Sequence, residues 1–221
     1  MGQPTPCAKR VFMQTLLLAT SNLHKLEEFR AIFADLPWRM LSLSDIQLKM
    51  NVEETGNTFA ENAELKGRAY AQVSHLLTLA EDSGLEIDAL GGAPGVLSAR
   101  YLGSETSYEE RFRVILERMK GLPPDQRNAR FRCVIALVEP SGYTRMVEGV
   151  VEGVIASNPR GTNGFGYDPI FIVPELGKTF AELGPGIKHK MSHRFRALTR
   201  ARRIMTLYLK RNRPPYRSPS L

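Results

Sequence analysis

The residues most suited to chemistry in this chain are carboxylates, lysines and hydroxyls of the kind that handle phosphate. Glu81-Asp82-Ser83-Gly84 follows the apolar run 76–80. Adjacent carboxylates beside a buried strand are costly unless a cation or hydrogen bonds satisfy them. Carboxylates facing phosphate oxygens are also a usual seat for Mg²⁺. The bland alternative is an Asp-Ser-Gly β-turn. Thr20-Ser21-Asn22-Leu23-His24-Lys25 joins an apolar run to a helical pattern. Backbone N–H groups, two hydroxyls and an ammonium at a helix start suit an anion, although an ordinary Asn cap explains the same residues. Glu53-Glu54 lies shortly before a helix on which Asn62 and Lys66, four apart, share a face.

Two later stretches suit a flat ligand. Gly161 to Asp168 combines Gly, Asn, Phe165, Gly166 and Tyr167. Glycine lets backbone approach closely, and Phe165 or Tyr167 can stack on a base. Ser192-His193-Arg194, with Lys188 nearby, brings donors for an anion or a purine carbonyl oxygen.

Other chemistries find no support. Gly177-Lys178-Thr179 lacks the preceding loop glycine of a P-loop, because Ile172 stands there. No dinucleotide-binding glycine pattern follows a strand, and the four histidines lack metal spacing. Cys7 and Cys133 form no disulfide framework, so a reducing, cytoplasmic setting is expected. No apolar run approaches the ~20 residues of a membrane helix. The net charge of +7 is local: Gly184 to Leu221 holds eleven Lys and Arg and no acid, while the remainder is acidic. Such a segment suits nucleic acid or a small polyanion such as a nucleoside triphosphate. The acidic and glycine-rich motifs would be idle in a nucleic-acid-binding protein, so no stable nucleic-acid partner is expected.

These residues must be held by surrounding elements. The pattern predicts a buried strand at 15–19, a helix from Asn22 ended by Pro37, and a strand at 39–43. A helix follows from a capping box at Thr58-Phe-Ala-Glu61 to about Ser74. Strands are predicted at 76–80, 131–138, 143–156 and 169–173, with 85–90 a candidate continuation of the first beyond the acidic motif, an amphipathic helix at 112–119 and a last helix from Ser192 to about Lys210. The second and third of those strands form a hairpin through Pro140-Ser-Gly142. Residues 1–13 read as an extension, 14–210 as one catalytic domain and 211–221 as a basic tail. The mixture of crossovers and a hairpin points to an α/β protein with a three-layer mixed sheet. The chemical groups are expected beyond strand C-termini, in a cleft.

Taken in order, these motifs form a familiar set. Leu18-Ala-Thr-Ser-Asn22 with Lys25, Glu53-Glu-Thr-Gly56, Glu81-Asp-Ser-Gly-Leu85, Gly91-Gly-Ala-Pro-Gly95, Ser98-Ala-Arg-Tyr101, Gly164-Phe-Gly-Tyr-Asp-Pro-Ile-Phe171 and Ser192-His-Arg194 resemble the inosine/xanthosine triphosphate pyrophosphatase family, the Ham-type house-cleaning hydrolases. The resemblance spans roughly residues 14–209. It implies an elongated fold with two lobes around a central cleft, usually dimeric. It also implies Mg²⁺-dependent hydrolysis of ITP, dITP and XTP to the monophosphate and pyrophosphate. Carried over by position, Thr20, Ser21, Asn22, Leu23, His24 and Lys25 would grip the triphosphate, and Lys66 would contact phosphate. Asp82 would ligate Mg²⁺ or activate water, and Glu54, ahead of Glu53 as the alternative, would help hold the metal. Ser83 would touch substrate. Phe165, Gly166, Tyr167 and Asp168 would surround the base, and Lys188, His193 and Arg194 would read its oxygen-bearing edge. Many relatives carry Gly in place of Ser21 and Asp in place of Glu81.

Overall fold

The computed structural model describes residues 13–211, less the side chains of Pro185 and His189. The proposed N-terminal extension and basic tail therefore fall almost wholly outside the described residues. The chain order is β1 (Gln14–Leu18), α1 (Leu23–Phe33), β2 (Trp38–Ser42), α2 (Phe59–Ser74), β3 (Leu77–Ile87), α3 (Tyr108–Arg118), β4 (Asn128–Val138), β5 (Thr144–Ile155), β6 (Phe171–Val173), β7 (Lys178–Thr179), α4 (Pro185–Met191) and α5 (His193–Arg211), with short 3-10 turns between. One seven-stranded sheet runs in the order β2-β1-β3-β4-β5-β6-β7. Its β2-β1-β3 part is parallel and the remainder antiparallel. This is the mixed α/β sheet that crossovers followed by a hairpin require.

Strand alternation sorts the core into layers. Leu16, Leu18 and Leu79 face α1 and α5, meeting Phe29, Phe33, Ala197 and Met205. Leu17 and Ala80 face the opposite side with Tyr70 of α2. Local chemistry fixes the helix starts. Asn22 accepts from the Lys25 backbone N–H, and Thr58 with Glu61 forms a complete capping box. Such caps contribute about 1 kcal/mol each.

The structure differs from expectation at β3. The strand does not break at the acidic motif but runs without interruption through Glu81, Asp82 and Ser83 to Ile87, so 81–84 and the candidate continuation belong to one strand. The antiparallel partner β4 pairs with it from Thr78 to Ile87. On the other side β1 pairs only over Leu16–Leu18 against Leu77–Leu79. Beyond that point the edge of β3 stays without a neighbouring strand along the acidic motif until Leu85 N–H meets Ser98 Oγ and Glu86 bridges Pro94, and this gap takes the place of a strand C-terminus as the site of the cleft. The core is interrupted there as well. Leu79 belongs to the cluster under α1 and α5, whereas Leu85 and Ile87 belong to a second cluster with Phe112, Phe131 and Phe171. The acidic motif thus lies between two hydrophobic cores. Helix α4, placed just before α5, is a further element that the sequence pattern did not reveal.

Candidate active site

Because β3 runs through the motif, its carboxylates point to opposite faces of the sheet. Asp82 faces α2. It accepts a hydrogen bond from Asn62 Nδ2 at 3.1 Å and another from the Ser83 backbone N–H at 2.9 Å. Lys66 Nζ is 3.9 Å from Asp82 Oδ1 and 2.5 Å from Glu54 Oε1. Asn62 is fixed in turn, since its Oδ1 accepts from Gly56 N–H at 2.8 Å. The shared helix face of Asn62 and Lys66 therefore turns both side chains toward Asp82, while Lys66 also pairs with Glu54. Burial pushes the Asp82 carboxyl up from 3.8 to about 6, with Lys66 opposing the rise and Glu54 adding to it. For Glu54, burial raises the carboxyl, but Lys66 and Arg100 outweigh it and hold the group below its ordinary value. Glu53 is exposed.

Glu81 and Ser83 face α1 and α5. Glu81 is buried and takes Lys25 Nζ at 2.5 Å, Arg194 Nε at 2.9 Å and the Cys133 thiol at 3.0 Å. Arg194 also donates to Glu28 Oε2 at 2.9 Å and to Ser83 Oγ at 3.1 Å. Burial alone would raise Glu81, yet Arg194 and Lys25 hold it well below the usual carboxylate range. Arg194 is thus committed to two carboxylates and a hydroxyl. Glu28 is a site residue that sequence reasoning missed. Its only sequence signal was an acidic residue on the otherwise apolar face of α1.

The residues expected to surround a base converge on the same side. A cavity of about 140 Å³ lies against Ser83, Gly84, Phe165, Asp168, Lys188 and His193. Phe165 is enclosed by cations and rings. Lys188 Nζ is 4.8 Å and Arg194 Cζ 5.6 Å from its centroid, and the His24 ring stacks on it at 5.6 Å. Lys188 forms an ion pair with the buried Asp168, which also accepts from Phe165 N–H at 2.8 Å. Burial raises the Asp168 carboxyl, opposed by Lys188. His193 stacks on Phe131 at 4.8 Å. Burial, then the adjacent Arg194, lowers the imidazole well below 6.5, so it is neutral, and its buried Nδ1 has no partner among the described residues. Tyr167 belongs to the wall: it is buried, and its hydroxyl donates to Ser98 O at 3.0 Å.

Two glycines are dictated by close approach. A Cβ on Gly164 would lie 2.1 Å from Asp168 Oδ2, and φ there is +80°. A Cβ on Gly84 would lie 2.3 Å from Ser98 Oγ, blocking the turn that packs on β3. Of the Thr20–Lys25 group, Lys25 reaches the cleft through Glu81, whereas Ser21, Asn22, Leu23 and His24 are exposed at the helix start. Among the described residues, no group of three or more His, Cys, Asp or Glu side chains converges as a ready metal cage.

The pattern of the Ham1 family matches residues 16–204. The chain belongs to the Ham1 family. Among its relatives it is 45% identical over 195 residues to a dITP/XTP pyrophosphatase of Bacillus subtilis, covering 88% of this chain and 98% of the relative. A dITP/XTP pyrophosphatase of Thermus thermophilus is 49% identical over 205 residues, covering 93% and 96%. Among solved structures, a HAM1 protein from Coxiella burnetii superposes with a TM-score of 0.83 at 43% identity, covering 88% of this chain and all of that one. The resemblance read from the ordered motifs is therefore borne out for family and for fold class. No helix among the described residues is long and apolar enough to cross a membrane.

Proposed function

We propose that this chain is a nucleoside triphosphate pyrophosphatase, with residues 14–210 as its catalytic domain. It converts purine nucleotides with oxygen at C6 (ITP, dITP and XTP) to the monophosphate and pyrophosphate, with Mg²⁺ as cofactor. One observation carries this reading. A buried carboxyl, Asp82, sits beside Lys66 at the open edge of β3, and an aromatic, cation-lined hollow adjoins the same edge. The printed names of the Bacillus and Thermus relatives support the same activity.

The chain's residues divide the work. With its carboxyl at about 6, Asp82 is mostly ionised at neutral pH yet basic enough to take a proton from water. Asn62 and the Ser83 N–H fix its orientation. Lys66 and Lys25 neutralise phosphate charge, and the N–H groups at the start of α1, with the Thr20 and Ser21 hydroxyls, bind phosphate oxygens. Glu54 and Asp82, gathered on either side of one ammonium, are a donor set that fits a hard cation completed by phosphate and water. When bound, that ion neutralises phosphate and acidifies water.

Phe165 offers the base a ring face, and Lys188 and His193 supply its polar edge. An ammonium donates to a C6 oxygen but opposes the amino group of adenine. Lys188→Ala is expected to lower the ITP-to-ATP ratio of kcat/KM by roughly tenfold or more, measured with both substrates in one assay. An unchanged ratio removes Lys188 from base reading.

A panel of ITP, dITP, XTP, GTP and ATP, assayed with Mg²⁺ and with EDTA, tests the reading. The 6-oxo substrates lacking a 2-amino group should lead, and EDTA should stop turnover. Equal rates on ATP would overturn the specificity. A homodimer working in the cytoplasm on free nucleotides, without a stable nucleic-acid partner, completes this reading on the family resemblance alone.

A further inference from the structure

Arg100 ends the 3-10 turn Gly95–Arg100 and is the guanidinium beside the Glu54–Lys66–Asp82 cluster. Its Nη1 donates to Glu54 Oε2 at 3.2 Å and its Nη2 to the Glu54 backbone carbonyl at 3.0 Å. The other Glu54 oxygen takes Lys66, which is shared with Asp82. We propose that Arg100 is a binding residue for the phosphates that leave as pyrophosphate, and not merely a brace for Glu54. This inference rests on the pyrophosphatase reading above.

Three features carry it. A guanidinium has five N–H donors, and two are used here. The remaining donors have no partner among the described residues, and the side chain is 38% exposed. The turn that carries Arg100 is pre-organised. Ser98 Oγ accepts from Leu85 N–H of β3 at 2.9 Å and donates to Gly95 O at 2.6 Å, while Ser98 O accepts the Tyr167 hydroxyl. One six-residue turn is thereby fastened both to the strand bearing Asp82 and to the wall of the base hollow. Charge balance supplies the third feature. Lys66 and Arg100 face Glu54 and Asp82, two cations against two carboxylates. A polyphosphate with its cation adds opposite charges to this cluster, and exchanging carboxylate for phosphate keeps both basic groups paired. The planar fork of Arg matches two phosphate oxygens at once, which an ammonium does not.

The test is calorimetric binding of inorganic pyrophosphate and, separately, of IMP, at saturating Mg²⁺. Wild type, Arg100→Ala and Arg100→Lys are compared after circular dichroism confirms folding. Loss of charged hydrogen bonds should weaken pyrophosphate binding by roughly tenfold to a hundredfold in Arg100→Ala, with partial recovery in Arg100→Lys and IMP binding within about twofold of wild type. The preference for ITP over IDP in kcat/KM should fall in parallel. Unchanged pyrophosphate binding in Arg100→Ala, with any loss of activity restored by more Mg²⁺, would overturn the inference and leave Arg100 as a brace for Glu54. Failure of wild type to release pyrophosphate from ITP would instead reject the reading of the cleft itself.

Discussion

Asp82→Asn is expected to abolish ITP hydrolysis while raising the melting temperature of the metal-free protein. The activity loss follows from removing the proton acceptor, a change worth about a thousandfold or more when a general base is lost. The stability gain follows from the same environment. Folding moves the carboxyl from 3.8 to about 6, so the folded protein binds this proton more tightly than the unfolded chain does. The resulting penalty is absent below pH 3.8, grows as pH rises to about 6 and is complete above it. Two pKa units correspond to about 3 kcal/mol. Asn keeps one of the two hydrogen bonds made by the carboxylate, so the net gain at pH 7 is about 1–2 kcal/mol. That is a rise of a few degrees for a chain of this size. Calorimetry in EDTA at pH 7 and pH 4 checks it. The gain should be present at the first pH and nearly gone at the second, and a mutant that turns over ITP within tenfold of wild type would contradict the role of Asp82.

Arg194→Ala is expected to be the most damaging to the fold. Its guanidinium is the buried cation between Glu81 and Glu28, and its removal leaves Lys25 as the one cation paired with Glu81 among the described residues. Breaking a buried pair from one side costs about 3–5 kcal/mol, or roughly 10 °C in Tm. The double variant Arg194→Met with Glu81→Gln should recover much of the loss, because it removes the uncompensated charge as well as the pair. The contribution of Glu81 is present above its ordinary value of 4.5 and is lost as pH falls through its lowered folded value. The deficit of the single variant should therefore shrink in acid. A single variant within 1 kcal/mol of wild type by denaturant titration would show that the cluster does not hold the cleft together.

Local signals in the sequence were legible. Asn22 and Thr58 cap the helices they were expected to cap, because capping depends on residues three apart. The turn 139–143 joins β4 and β5 as expected of Pro-Ser-Gly. The kinship of Asn62, Lys66 and Asp82 was partly legible, since helical spacing put the first two on one face. The course of β3 was not. Local propensity ends a strand at Glu-Asp-Ser, and what keeps it extended is distant in sequence: Arg194 for Glu81 and Asn62 for Asp82. Period-two alternation then divides two neighbouring carboxylates between opposite faces of the sheet, which no count of charged residues reveals. The roles of Glu28 and of Arg100, which the motif Ser98-Ala-Arg-Tyr101 contains, were not legible for the same reason, each being defined by a partner far along the chain.

The most direct measurement is the product analysis of a single ITP digest in Mg²⁺, with Asp82→Asn as the control. IMP and pyrophosphate should appear in equal amounts at every time point, and neither should appear with the variant. Release of IDP and orthophosphate, or equal turnover by the variant, would contradict a cleft in which Asp82 directs water to the phosphate chain.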